Sequence, residues 1–232
     1  MKSVIVDSGS IITLSLNNLL WLFEKAKNRY NISFYLTDAV KREVVDNPLT
    51  TKRFKLEALQ VMALINKGVL KVLESEKIDA KTADLLELAN SSFRTKEQAM
   101  RLVHYPEMSA ISASILYNAD AVMIDERTTR YIIERPDKLR LLLNHKLHTK
   151  IMIDKKALNL LKSETKNVKF IRSAEFVTIA FEKGLLDEFL PNTENSKELL
   201  LDALLWGLKL NGCAIATKDL ETLMRVELKY SR

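Results

Sequence analysis

The sequence predicts an α/β fold: a three-layer α/β/α sandwich around a central, mostly parallel sheet, with extra helices added to it. Three observations predict this. Four short apolar, β-rich runs occur at 3–7, 32–37, 69–73 and 121–125. Helical periodicity fills the intervals between them. Strand and helix therefore alternate through the first 135 residues, the pattern of parallel strands joined by crossover helices.

Each element has a local reason. SVIVD at 3–7 is a buried strand that ends in a carboxylate. From Ile11 to Phe23 apolar residues recur at helical spacing, so one helix is expected there. ISFYLT at 32–37 is the next strand. Thr37 and Asp38 are N-cap residues for a helix through Val45, which Pro48 is expected to close. Residues 51–67 read as an amphipathic helix stopped by Gly68, and VLKVL at 69–73 as a strand. Residues 79–103 read as helical, with a break at Asn90-Ser91-Ser92. Pro106 starts a helix over 107–119, AVMID at 121–125 is a strand, and 127–135 is helical up to Pro136.

Beyond 136 the order is less regular. Basic helices are expected over 137–147 and 154–164, a strand at 168–173 and a helix at 174–186 ended by Gly184. An apolar helix follows at 197–210, and 213–229 closes the chain. No stretch has linker composition. The reading is one domain over 1–190, with a basic helical insertion at about 136–167, and a helical extension over 191–232 packed on the same domain.

Composition excludes several classes. Apolar residues make up 47% of the chain and Gly and Pro number only 5 and 4, which rules out a disordered or collagen-like chain. Cys213 is the single cysteine, so no internal disulfide forms and a reducing compartment is expected. Asp7 interrupts the apolar start where a signal peptide needs an unbroken run. The longest apolar stretch, Leu199 to Leu208, contains Asp202 and is too short to span a bilayer. A cytoplasmic protein without membrane contact is expected.

The formal charge is +6, and it is not evenly spread. Residues 144–173 hold eight basic and two acidic residues, so the other residues, 28 basic and 28 acidic, are neutral together. Lys155, Lys156 and Lys162 lie in this stretch. A Lys-rich, Arg-poor segment suits sequence-independent contact with RNA phosphates; it equally suits a solvated face or an acidic protein partner.

The acids carry the chemistry. Ligands of open α/β sheets bind at the carboxyl ends of the strands. Asp7 and Asp125 end two such strands, and Glu126 follows Asp125. Glu43 lies on the helix after the 32–37 strand, and Glu107 opens the helix before AVMID. Glu43 also reads as part of a solvated face and Glu107 as a first-turn acid. If the four converge, they repel one another, and a hard divalent cation such as Mg²⁺ or Mn²⁺ relieves the repulsion. Metal-activated water attacking a phosphodiester is the natural chemistry of such a site.

VDSGSII at Asp7, AVKREV at Glu43, PEMSAISAS at Glu107 and ADAVMIDER at Asp125 together resemble the four acidic motifs of PIN-domain nucleases, near the VapC-type toxins of prokaryotes. The resemblance covers about residues 1–135 and, more loosely, 168–190. It implies an α/β/α fold and Mg²⁺- or Mn²⁺-dependent RNA cleavage. Asp7, Glu43, Glu107 and Asp125 would be the catalytic metal ligands, with Glu126 as an additional acid and Ser8 as the small hydroxyl residue after the first acid. An antitoxin-like protein is the protein partner it implies. Separately, the apolar helix with Leu199, Leu200, Leu204, Leu205, Trp206 and Leu208 reads either as core packing or as an interface with a second copy of the chain. The chain departs from compact members through its insertion, its C-terminal extension and Glu in place of Asp at the third acid. A non-cleaving PIN-like module that binds RNA or protein is the alternative.

Other residues carry weaker signals. Asp202 and Asp219 mimic the Glu107–Asp125 spacing on an apparent helix-then-strand segment, but lie far along the chain from Glu43. His145 and His148 share a helix face without further zinc ligands. Cys213 has no nearby His and reads as buried packing.

Overall fold

The computed structural model describes residues 2–230. In chain order the elements are β1 (Lys2–Val6), α1 (Ser8–Leu16), α2 (Trp21–Tyr30), β2 (Ile32–Thr37), α3 (Asp38–Lys41), a π-helical turn (Arg42–Asp46), α4 (Asn47–Leu49), α5 (Lys55–Asn66), β3 (Leu70–Leu73) and α6 (Glu76–Ser91). Then follow β4 (Phe93–Arg94), α7 (Tyr105–Leu116), β5 (Ala121–Met123), α8 (Arg127–Glu134), α9 (Pro136–Leu147), β6 (Met152–Ile153) and α10 (Lys155–Thr165). β7 (Phe170–Ile171), α11 (Ser173–Glu182), a 3₁₀ turn (Asp187–Phe189), α12 (Ser196–Leu210) and α13 (Thr217–Tyr230) complete the chain.

The main sheet has the order β3-β2-β1-β5-β7, and every neighbouring pair is parallel. Alternation along the strands sorts side chains between two cores. Val4, Val6, Phe34, Leu36 and Met123 face one side, where α1, α2, α5, α11 and α12 supply Leu14, Phe23, Val61, Val177 and Leu205. Ile5, Val122 and Ile124 face the other, covered from α6, α7, α9 and α10 by Leu85, Ile111, Leu139 and Leu161. The three-layer sandwich read from the sequence is therefore the fold. Phe23, Phe34 and Phe176 pack edge-to-face and stacked within 4.9–5.8 Å at the centre of the first core.

Several local expectations need correction. The helix expected over 11–23 is two helices. Asn18 takes a left-handed conformation (φ 55°), and the Leu19 N–H returns to the Leu14 carbonyl, which stops α1. Pro48 does not close the third helix. A π turn widens the backbone just before it, and the chain makes one more helical turn. Residues 92–104 are not helical: Ser92 Oγ bonds back to Leu88, and Phe93–Arg94 pairs antiparallel with Met152–Ile153. That second, two-stranded sheet ties the basic segment to the body. Leu139, Ile151, Leu158 and Leu161 of that segment are buried.

The C-terminal helices complete the first core. Leu200, Leu201, Leu205, Leu208, Cys213, Ile215 and Leu220 are all buried. α12 comes so close to α1 that a Cβ added to Gly207 would lie 2.7 Å from Asn17 Oδ1. The apparent helix-then-strand around Asp202 and Asp219 is two helices joined by a turn, so it is no second copy of the Glu107–Asp125 segment. Among the described residues no helix is long and apolar enough to cross a membrane.

Candidate metal centre

The chain runs outward from β1 through β2 to β3, then returns to place β5 on the opposite side of β1. Strand order therefore reverses between β1 and β5, and crevices at such switch points are where open α/β sheets bind ligands. Asp7 and Asp125 follow these two strands. The Asp7 N–H donates to the Met123 carbonyl (3.0 Å), which locks the two strand ends together.

Asp7 is the N-cap of α1. Its carboxylate accepts from the Gly9 N–H (3.2 Å) and Ser8 Oγ (3.4 Å), and it is buried to 1% exposure. Ser8 is thus placed against the first acid. Burial is the main force on Asp7, and the Glu107 carboxylate adds repulsion, with Glu43 further behind. Despite the two hydrogen bonds its pKa is pushed up to about 7.

Glu107 stands in the first turn of α7, where its Oε2 accepts the His104 N–H (2.6 Å) in a capping box. Burial again dominates, opposed by that hydrogen bond, while Glu126 and Glu43 repel it; its pKa is pushed up to about 7. Glu43 sits on the π turn. It faces Glu107 across a cleft of about 330 Å³ whose other walls include Arg42, Asn47 and His104. Glu126 caps α8 through the Thr129 N–H (2.6 Å). Asp7, Glu43, Glu107 and Glu126 therefore form one electrostatically coupled group without a paired cation among them.

Asp125 lies just past β5, the strand paired with β1, and adjoins Glu126. It is buried, and its two oxygens accept from the Ser173 N–H and Ser173 Oγ, both at 2.7 Å. These charge-assisted bonds anchor the start of α11. Cys213 lies on the same side; burial and the Asp125 charge push its thiol up to about 12, so it is an unreactive packing group.

Among the described residues no three His, Cys, Asp or Glu side chains already stand together in metal-holding geometry. Three of the coupled acids, Asp7, Glu107 and Glu126, are occupied as helix caps. In donor chemistry they fit a hard cation: all are carboxylate oxygens, and two are pushed up to about 7 by burial first and by neighbouring carboxylates second, both of which a bound cation would offset.

Lys155, Lys156 and Lys162 are exposed on α10. α10 runs against α6, with the Asp154 N–H on the Ser92 carbonyl at one end and Lys81 paired with Glu164 at the other. None of the three lines the cleft that holds Glu43 and Glu107. The His145 and His148 rings are 6.3 Å apart on an exposed helix end.

Sequence reading missed two groups here. Arg42 and His104 line the acid cleft, and their position beside Glu43 and Glu107 was the available signal. It also missed Lys52-Arg53-Phe54-Lys55, a basic stretch with an aromatic residue inside it, because a charge tally by segment averages so short a run away.

No protein-family model, curated protein or solved structure matches the chain, so the resemblance of the four acidic motifs stands on the motifs alone.

Proposed function

We propose that the chain is a metal-dependent endoribonuclease of PIN type, hydrolysing RNA phosphodiester bonds at the carboxyl edge of its parallel sheet. The observation that carries this reading is the coupling of Asp7, Glu107 and Glu43 at the switch point, with two of the three carboxyl groups raised to about 7. Asp7 is buried, Glu107 is half-buried beside it, and Glu43 is exposed at the mouth of the cleft, so one desolvated acid is set among like charges. Such perturbed carboxyl groups cluster at catalytic and metal sites.

Asp7 and Glu107 would hold a Mg²⁺ or Mn²⁺ ion, with Glu43 and Glu126 adding negative charge around it. When bound, such an ion supplies Lewis-acid stabilisation of the phosphate and an acidified water. Glu43, across the cleft from Glu107, is placed to take the proton of the attacking water. Arg42 and His104 in the same cleft are placed to orient the scissile phosphate. Asp125 keeps its structural place: by anchoring Ser173 it fixes α11 and the end of β5 beside Asp7. The lysines of α10 would guide the RNA backbone outside the cleft.

A second reading, a non-cleaving module that binds RNA or a protein such as an antitoxin, is favoured by the capping roles of Glu107 and Glu126. Incubation of the full chain with end-labelled RNA in Mn²⁺, against EDTA, separates the two. Cleavage that requires the metal is expected; RNA binding without any metal-dependent cleavage would leave only the binding module.

A further inference from the structure

Glu43 lines two cavities. One is the polar cleft shared with Glu107, and the other is an apolar slot of about 180 Å³ behind it. Ile12, Leu16 and Phe54 wall the slot, and Ser15, Glu43 and Glu57 supply its polar groups. An apolar cavity of roughly 150 Å³ admits a benzene-sized ring, so a slot of this size takes a planar heterocycle.

Two features are unexplained by the fold. Ser15 is buried to 6% exposure, yet its hydroxyl has no hydrogen-bond partner. A buried hydroxyl without a partner is costly, which points to a ligand that supplies one. Phe54 is partly exposed and held at φ 61°, a left-handed conformation that bulky residues rarely adopt. Strain of that kind persists where a side chain must be held in a given place. The Arg53 guanidinium lies 4.5 Å over the Phe54 ring, and Lys52, Arg53 and Lys55 are all exposed around it.

We propose that the Phe54 slot receives one nucleobase of the RNA chain, next to the phosphate handled at Asp7 and Glu107. The inference rests on the ribonuclease reading and deepens it. The base stacks on Phe54, as single-stranded RNA does on aromatic side chains. Ser15 Oγ gains its partner from an edge of the base. The Glu43 and Glu57 carboxylates accept hydrogen bonds and donate none, so they favour a base whose exocyclic amino group offers two donors over uracil, which offers only its N3–H. The cations of 52–55 meet the flanking phosphates.

The test is equilibrium binding of fluorescein-labelled oligocytidylate, oligouridylate and an abasic oligomer of the same length to the full chain. It is done in EDTA, so that binding is read apart from cleavage. Phe54→Ala should weaken oligocytidylate binding about tenfold, with Phe54→Trp retaining it. Ser15→Ala should weaken it less, wild type should prefer oligocytidylate to oligouridylate, and the abasic oligomer should bind wild type and Phe54→Ala alike. If wild type cleaves RNA in Mn²⁺ but Phe54→Ala and wild type bind oligocytidylate equally, the slot is overturned and the nuclease reading stands. Binding through Phe54 without cleavage in Mn²⁺ keeps the slot and removes the nuclease. Absence of any RNA binding in EDTA overturns the slot.

Discussion

Asp7→Asn is expected to stabilise the metal-free chain and to abolish its RNA cleavage. The first effect follows from the sign of the pKa shift. Asp7 titrates near 7 in the fold and near 3.8 when free of it. Between those values the native state holds a proton that the unfolded chain has lost, so stability falls as pH rises from about 4 to about 7. Above that window the full cost of burying the charge remains. Asn carries no charge and escapes it. Thermal melts in EDTA should therefore show little difference near pH 4 and a variant more stable by a few kcal/mol near pH 8. Part of the Asp7 shift comes from the Glu107 carboxylate, so substitutions at the two positions are not additive. Cleavage in Mn²⁺ should drop by about a hundredfold or more, because the variant loses a principal ligand. A variant less stable at every pH, with cleavage unchanged, would remove both the electrostatic and the catalytic account.

Deleting residues 191–230 should unfold the protein. The deletion strips Leu200, Leu201, Leu205, Leu208, Cys213, Ile215 and Leu220 from the first core, all between 0% and 8% exposed. Each fully buried leucine contributes roughly 1.5–3 kcal/mol, so the loss is comparable to the whole of the roughly 5–15 kcal/mol that holds a typical domain together. Leu205→Ala alone should cost about 2–5 kcal/mol. Urea denaturation followed by circular dichroism measures both. A truncated chain with a cooperative transition at the wild-type midpoint would show that α12 and α13 are an appendage after all.

These helices illustrate where the sequence was readable and where it was not. The parallel sheet was legible because buried strands are short, apolar and separated by helical periodicity. Asp7 stood out because a carboxylate at the end of a buried run is hard to explain as a solvated charge. The Ser173 partnership of Asp125 was hidden: each of its oxygens accepts one bond from Ser173, 48 residues on, and side-chain pairing at that separation leaves no periodic trace. The break at Asn18 was hidden for a different reason. Its neighbours keep a helical apolar pattern, and only the tolerance of Asn for a left-handed backbone interrupts it. Ser75 and Thr37 cap their helices as their residue types suggest. The π turn that carries Glu43 has no sequence signature, although Pro48 just beyond it signals a disturbance.

The location of charge was half legible. Residues 144–173 do carry the excess, and three of their lysines, Lys155, Lys156 and Lys162, are exposed on α10. Arg42 shares the cleft of Glu43 and Glu107, and the run from Lys52 to Lys55 borders the neighbouring slot through Phe54. They sit in segments whose overall charge is unremarkable, where only the fold shows which surface they border.

The central claim is that the coupled carboxylates at the β1–β5 switch point hold a divalent cation. A crystal soaked in Mn²⁺ and measured for anomalous scattering tests it most directly. The account predicts a peak bounded by Asp7 and Glu107 carboxylate oxygens at about 2.1 Å, with Glu107 released from the His104 N–H. Saturating Mn²⁺ with no peak beside Asp7, and Glu107 still capping α7, would contradict it.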